Sequence, residues 1–270
     1  MANATSAADS GAEKRSVGGA ATSEATTEGA TEATTEERTA APPLDWAAVD
    51  AVLLDMDGTL LDLHYDNAIW NQELPLRLTQ RDLNVQEPTA AQVEATNAEL
   101  VQRMARVRGK LQFYDLSYWA ELTGFDLLAL HHDCAHKIRY RPGALAFLEA
   151  LQTSDKRVVL ATNAHRDCLE IKHQHTGILD YFDAVVSSHD YRAPKEEQAF
   201  WYALEDQQAL QRERCLFIDD NLEVLRSAAR FGVRHLRCVS HPDLNKEPRD
   251  TAEFVAVDDL SSLLPIDVGA

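Results

Sequence analysis

Apolar-rich runs recur at residues 51–54, 157–161, 184–187, 215–218 and 233–239, each followed by polar or turn-forming residues. Such short runs, with little strict alternation, predict strands covered on both faces, as in a parallel sheet. Between them the spacing becomes helical, most openly where Leu222, Leu225, Ala228 and Ala229 follow the fourth run. Strands alternating with amphipathic helices predict an α/β fold built on a Rossmann-like, doubly wound parallel sheet.

From Leu63 to Tyr140 the strand signal disappears. Val93, Asn97, Leu100, Met104, Val107 and Leu111 recur at intervals of four and three residues, which lays them along one helix face where only Asn97 is polar. Thr89 behind Pro88, and Asp115, are predicted helix starts, and Gly109 and Gly124 are predicted stops. The expected organisation is an α/β core from residues 44–62 and 141–270, interrupted by a helical insert over 63–140. The chain would leave and re-enter the core near 62–65 and 139–143. Residues 1–43 are acidic and rich in Ala, Thr and Glu, with only Met1 and Val17 as larger aliphatic residues. So little apolar surface cannot offset the entropy of ordering, and a disordered tail is expected.

Composition narrows the partners. A formal charge of −18 argues against a general nucleic-acid surface but leaves room for a small anion met by local cations. No run of about 18 apolar residues suggests a membrane span, and the first residues fit neither a secretory signal nor a basic presequence. Cys134, Cys168, Cys215 and Cys238 are widely spaced, as expected of small hydrophobes in a reducing cytoplasm. His131, His132 and His136 tempt a zinc assignment. Only His132 and His136 share a helix face and no second ligand pair follows, so a polar face of the insert is the preferred reading.

The chemistry gathers at strand ends. Asp55 and Asp57 follow the first run, and Gly58 allows the turn that could bring both carboxylates to one site. Asp-x-Asp-Gly also opens calcium loops, but the fifth and twelfth positions here are Thr59 and Asp66, and a strand precedes in place of a helix. Thr162 and Asn163 end the second run, where a hydroxyl, an amide and a helix amino terminus could hold phosphate oxygens. Lys195 follows the third run, at the start of a helix expected near Glu196. Asp219 and Asp220 end the fourth. In open α/β sheets, ligands bind at these carboxyl ends.

This ordered set, Asp-x-Asp, Thr, Lys and Asp-Asp, resembles the four motifs of the haloacid dehalogenase (HAD) superfamily of phosphohydrolases. Segments including 55–63, Asp66-Asn67 with Trp70, Leu116-Ser117-Tyr118-Trp119, 162–165, His175-Thr176-Gly177 and 194–196 are similar to those of bacterial GMP/IMP 5'-nucleotidases. The resemblance implies that the insert is a cap closing over the phosphate site, and that the substrate is a small phosphorylated metabolite, a purine nucleoside 5'-monophosphate. It also implies magnesium-dependent phosphomonoester hydrolysis through an aspartyl-phosphate.

On that footing Asp55 is the expected nucleophile and Asp57 the acid/base. Asp55, the Asp57 backbone carbonyl and Asp219 are the expected Mg2+ ligands. Thr162, Asn163 and Lys195 are expected around the phosphate, with Asp220 orienting water or Lys195 from behind. Dehalogenases of the superfamily lack an acid at the position of Asp57, because a halide leaves without a proton. A phosphatase for a sugar phosphate or phosphoglycolate, a phosphosugar mutase and an inactive binding module remain as alternatives. Trp70, Phe113, Tyr114, Tyr118 and Trp119 are candidates to stack a purine, although aromatics on helices more often pack in a core.

Overall fold

A computed structural model describes residues 44–266. The expected tail over 1–43 lies outside them. Strand β1 (Ala51–Leu54) leads into the insert, which contains α1 (His64–Ala68), a π-helical turn (Ile69–Glu73), α2 (Leu74–Leu83), α3 (Ala90–Val107), α4 (Leu116–Thr123) and α5 (Leu127–Cys134). The chain then returns through α6 (Ala144–Gln152), β2 (Arg157–Thr162), α7 (Arg166–Thr176), β3 (Ala184–Ser187), α8 (Ser188–Tyr191) and α9 (Gln198–Gln208). It finishes with β4 (Cys215–Asp219), α10 (Leu222–Phe231), β5 (His235–Val239) and β6 (Val255–Val257).

The six strands form one parallel sheet in the order β3-β2-β1-β4-β5-β6. The buried runs are explained by a core on each face. Val52 and Leu54 point into a cluster with Phe147, Leu148, Leu151 and Leu169, whereas Ala51 and Leu53 meet Phe200, Trp201, Leu225 and Phe231 on the other side. Register sets the level of the strand ends. Leu54 lies opposite both Leu160 and Ile218, so the residues that follow these three emerge together.

The elements differ from expectation in places. β5 begins at His235, because Gly232, with φ +106°, ends α10 and Val233 donates its N–H back to Ala228. β6 is too short for its spacing to show and gains its strand geometry by pairing with β5. Leu111 does not continue α3. The helix ends at Val107, Gly109 follows with φ +74°, and Leu111 opens a separate 3-10 turn.

In the insert, Thr89 caps α3 in a reciprocal box with Gln92, and Asp115 caps α4 through the N–H groups of Ser117 and Tyr118. Leu100 is buried on α3, with Val93, Asn97, Met104 and Val107 half-buried along the same face. A small core of Tyr65, Ile69, Leu74, Leu116, Trp119 and Leu130 holds the insert together and extends to Cys168 on α7. The histidine run is not wholly a polar face. His131 is buried, its Nδ1 2.9 Å from the Tyr65 hydroxyl, while His132 and His136 are exposed. All four cysteines are buried and free, and no described helix is long and apolar enough to cross a membrane.

Insert and core are joined by two adjacent segments. Leu61 and Tyr140 form an antiparallel bridge, and the Asp62 N–H donates to the Arg139 carbonyl at 2.9 Å. The buried Asp62 carboxylate accepts from Arg139 Nε at 2.7 Å and from the His64 and Leu244 N–H groups.

Candidate active site

Asp55 is the first residue past β1, and its N–H still bonds the Ile218 carbonyl at 3.0 Å, so the sheet fixes its backbone. Gly58 then turns with φ +84°, and the N–H groups of Leu60 and Leu61 converge on the Met56 carbonyl. A Cβ at Gly58 would lie 2.9 Å from the Asp220 carboxyl carbon, so this turn needs glycine for space as well as conformation.

β4 delivers Asp219 and Asp220 beside Asp55. Carboxylate oxygens of the three lie within 4.8 Å of one another. Lys195, 2% exposed, donates from Nζ to Asp55 Oδ1 at 2.5 Å, to Asp219 Oδ2 at 2.7 Å and to the Ala161 carbonyl at 3.0 Å. The Lys195 backbone N–H donates to Asn163 Oδ1 at 2.9 Å, and the Asn163 amide donates to Glu196, which also accepts from the Tyr114 hydroxyl at 2.5 Å. The side chain of Asn163 is therefore engaged in holding the lysine loop. Thr162 Oγ1 accepts the Ala164 N–H at 3.0 Å. Lys195 lies in a turn, and α9 starts later than expected, at Gln198.

Asp220 was expected to orient water or Lys195 from a second position. Its carboxylate pairs with Arg249 at 2.8 Å and belongs to the same acidic cluster as Asp55 and Asp219. Asp57 faces another way. Its side chain accepts from Lys172 Nζ at 2.6 Å, and the same ammonium donates to Asp66 of α1 at 3.0 and 3.1 Å.

The electrostatics ask for more positive charge than these side chains supply. Burial pushes Asp55 up to about 7, against the pull of Lys195 and with the repulsion of Asp219 and Asp57. Asp219 and Asp220 rise to about 6, again mainly through burial, against Lys195 and Arg249 respectively. Burial also leads in raising Asp57 to about 6, helped by Asp66 and opposed by Lys172. Burial disfavours the Lys195 ammonium, but Asp219 and Asp55 outweigh it and hold its pKa above the ordinary lysine value. A tight set of oxygen donors, short of cations and out of water, suits a hard divalent ion.

A cavity of about 680 Å³ opens over these groups. Asp55, Asp57, Thr162, Asn163, Lys195, Asp219 and Asp220 line it from the core, and Trp70, Met104, Arg108, Phe113 and Tyr114 from the insert. Tyr118 and Trp119 do not line it. Trp119 is buried in the insert's core, where its Nε1 donates to the Phe113 carbonyl.

Sequence reasoning missed Lys172, Asp66 and Arg249. Lys172 left a signal, a lysine one turn after Cys168 on the buried face that also carries Leu169, and Asp66 stood in a segment of the family resemblance without a role of its own. Asp66 and Arg249 gain their roles only through partners distant in sequence.

The model of the haloacid dehalogenase-like hydrolases matches residues 49–232. GMP/IMP nucleotidase YrfG from Escherichia coli is 36% identical over 224 residues, covering 82% of this chain and 96% of that protein. Among solved structures, a HAD phosphatase from Thermococcus onnurineus superposes with a TM-score of 0.64 at 19% identity, covering 80% of this chain and 96% of its own. The HAD-hydrolase YfnB from Bacillus subtilis, described bound to magnesium, gives 0.57 at 19% identity, with the same two coverages. Because the family match takes in every strand-end motif and the whole insert between the first two, the chain belongs to the haloacid dehalogenase-like hydrolases.

Proposed function

We propose that the protein is a magnesium-dependent phosphatase of purine nucleoside 5'-monophosphates, with GMP and IMP as substrates. The observation that carries the reading is the Asp55 carboxylate, clustered with Asp219 and Asp220 beside Lys195, in a cavity that the insert also lines.

Asp55 attacks phosphorus, and its oxygen forms the new bond as the ester oxygen departs, leaving an aspartyl-phosphate. Asp57 donates a proton to that oxygen, then accepts one from the water that cleaves the intermediate. Thr162 and Lys195 neutralise the phosphate oxygens, and Asn163 holds the Lys195 backbone in place. The Asp55 and Asp219 carboxylates with the Asp57 carbonyl would hold Mg2+, and Asp220 lies within the same cluster. When bound, the ion supplies positive charge that lets a carboxylate and a phosphate approach.

Residues 63–140 act as the cap and residues 44–62 and 141–270 as the core. The substrate class follows YrfG by name, and three features of the cavity support it. Trp70 and Phe113 offer aromatic surface. The volume is in the range used by small-molecule sites. Arg108 lines the cap side and makes no hydrogen bond or ion pair among the described residues, so its guanidinium is available to the 6-oxo group and N7 shared by GMP and IMP. The 6-amino group of AMP would face a donor with a donor. Four buried thiols fit a reducing cytoplasm.

The test is phosphate release from GMP, IMP, AMP, sugar phosphates and phosphoglycolate, with magnesium and then with EDTA. GMP and IMP should be preferred over AMP, and EDTA should abolish turnover. Preference for another ester would overturn the substrate, isomerised product without free phosphate would favour a mutase, and no reaction with any ester would remove the catalytic reading.

A further inference from the structure

Lys172 sits on α7, 1% exposed, and its ammonium bridges Asp57 of the core and Asp66 of the insert's first helix. Tyr65, which precedes Asp66, places its ring 5.2 Å beneath the same ammonium. Among the described residues, Lys172 is the one hydrogen-bond partner of the Asp57 side chain, and it engages Oδ1 alone. Oδ2 makes no hydrogen bond among the described residues. Asp57 follows the strand and is not itself part of it, and no other hydrogen bond among the described residues fixes its χ1 and χ2. A 1 Å displacement of a reacting group can cost two orders of magnitude in rate.

We propose that Lys172 is a positioning residue for the acid/base Asp57, and that by sharing its ammonium with Asp66 it makes the orientation of Asp57 depend on the seating of the insert. The inference rests on Asp57 acting as acid and base, and it adds a residue outside the four strand-end motifs. In the first half-reaction the Asp55–phosphorus bond forms, the phosphorus–ester oxygen bond breaks, and the Asp57 proton moves to the departing oxygen. In the second, the water oxygen bonds phosphorus, the Asp55–phosphorus bond breaks, and a water proton returns to Asp57. Loss of orientation at Asp57 impairs both steps for an alkyl ester. For an ester whose leaving group needs no proton, only the second step suffers.

That difference supplies the test, on the full chain with magnesium. Lys172→Met should lower kcat for GMP by about 10- to 100-fold, within the range of a general acid–base contribution, while KM changes less than about threefold. With p-nitrophenyl phosphate the same variant should release nitrophenolate in a burst of about one per chain, followed by slow turnover. Lys172→Arg should recover part of the GMP rate.

Unchanged kcat for GMP would overturn the proposal. So would loss of the burst together with turnover in a folded protein, because a merely structural role disables both steps. Should Lys172→Met fail to fold, Asp66→Asn carries the test, with an expected kcat loss of about 3- to 10-fold for GMP and an unchanged rate overturning the proposal. Asp57→Asn separates the two levels of failure. If it loses turnover while the folded Lys172→Met variant does not, the Lys172 proposal falls and the acid/base assignment stands. If Asp57→Asn keeps full turnover, both fall.

Discussion

Burial drives the carboxyls of Asp55, Asp57, Asp219 and Asp220 upward, and Lys195, Lys172 and Arg249 only partly compensate. Acidic groups held this way are costly to the fold, and their natural use is chemical. Asp55→Asn is therefore expected to abolish phosphate release while leaving the protein folded, with a melting temperature without metal no lower than that of the wild type. Substantial turnover in that variant would dismiss the nucleophile. Asp55, Asp57, Lys195 and Asp219 were legible because each lies at or beyond the carboxyl end of an apolar strand, where topology makes a polar residue conspicuous. Lys172 meets Asp57 across 115 residues of sequence, and Arg249 meets Asp220 from a loop without periodicity. No local pattern announces such pairs.

Among the elements, the turn after β1 has the narrowest tolerance. Gly58 combines φ +84° with a close approach to Asp220 and to Pro242. Gly58→Ala should cost about 1–3 kcal/mol through backbone strain and crowding, read from denaturant midpoints, and should lower kcat by pushing Asp220 from its neighbours. An unchanged midpoint and rate would mean that the turn relaxes freely. The long helix α3 was readable because a capping box and a continuous apolar stripe agree on it. β6 was not, since three residues beside acidic neighbours carry no period and owe their conformation to β5. The extent of β5 was misjudged for a related reason: Val233 belongs to the stop of α10 and not to the ladder.

For the molecule as a whole, the buried His131 ties acid stability to the insert. Burial, with Lys172 nearby, lowers its pKa from 6.5 to about 3. The folded state keeps the ring neutral, while the unfolded chain takes up a proton below about pH 6.5. Stability is thus full above that value and falls as pH drops toward 3, by up to about 1.4 kcal/mol per unit. Between pH 7 and pH 5 the wild type should lose about 2 kcal/mol more than His131→Gln, by urea unfolding at both values. Equal losses would show that His131 does not titrate on unfolding.

The paired segments at Leu61–Asp62 and Arg139–Tyr140 carry a consequence of another kind. The chain goes out and comes back through one narrow neck, with its two ends already side by side. An inserted piece of any length can be spliced there without lengthening a strand or shifting the sheet's register. The strand-end groups stay with the sheet, while Trp70, Met104, Arg108, Phe113 and Tyr114 travel with the graft. Exchanging the piece above the neck would leave Asp55, Lys195 and Asp219 where the sheet holds them, and the newcomer would have to offer Lys172 an acid in place of Asp66.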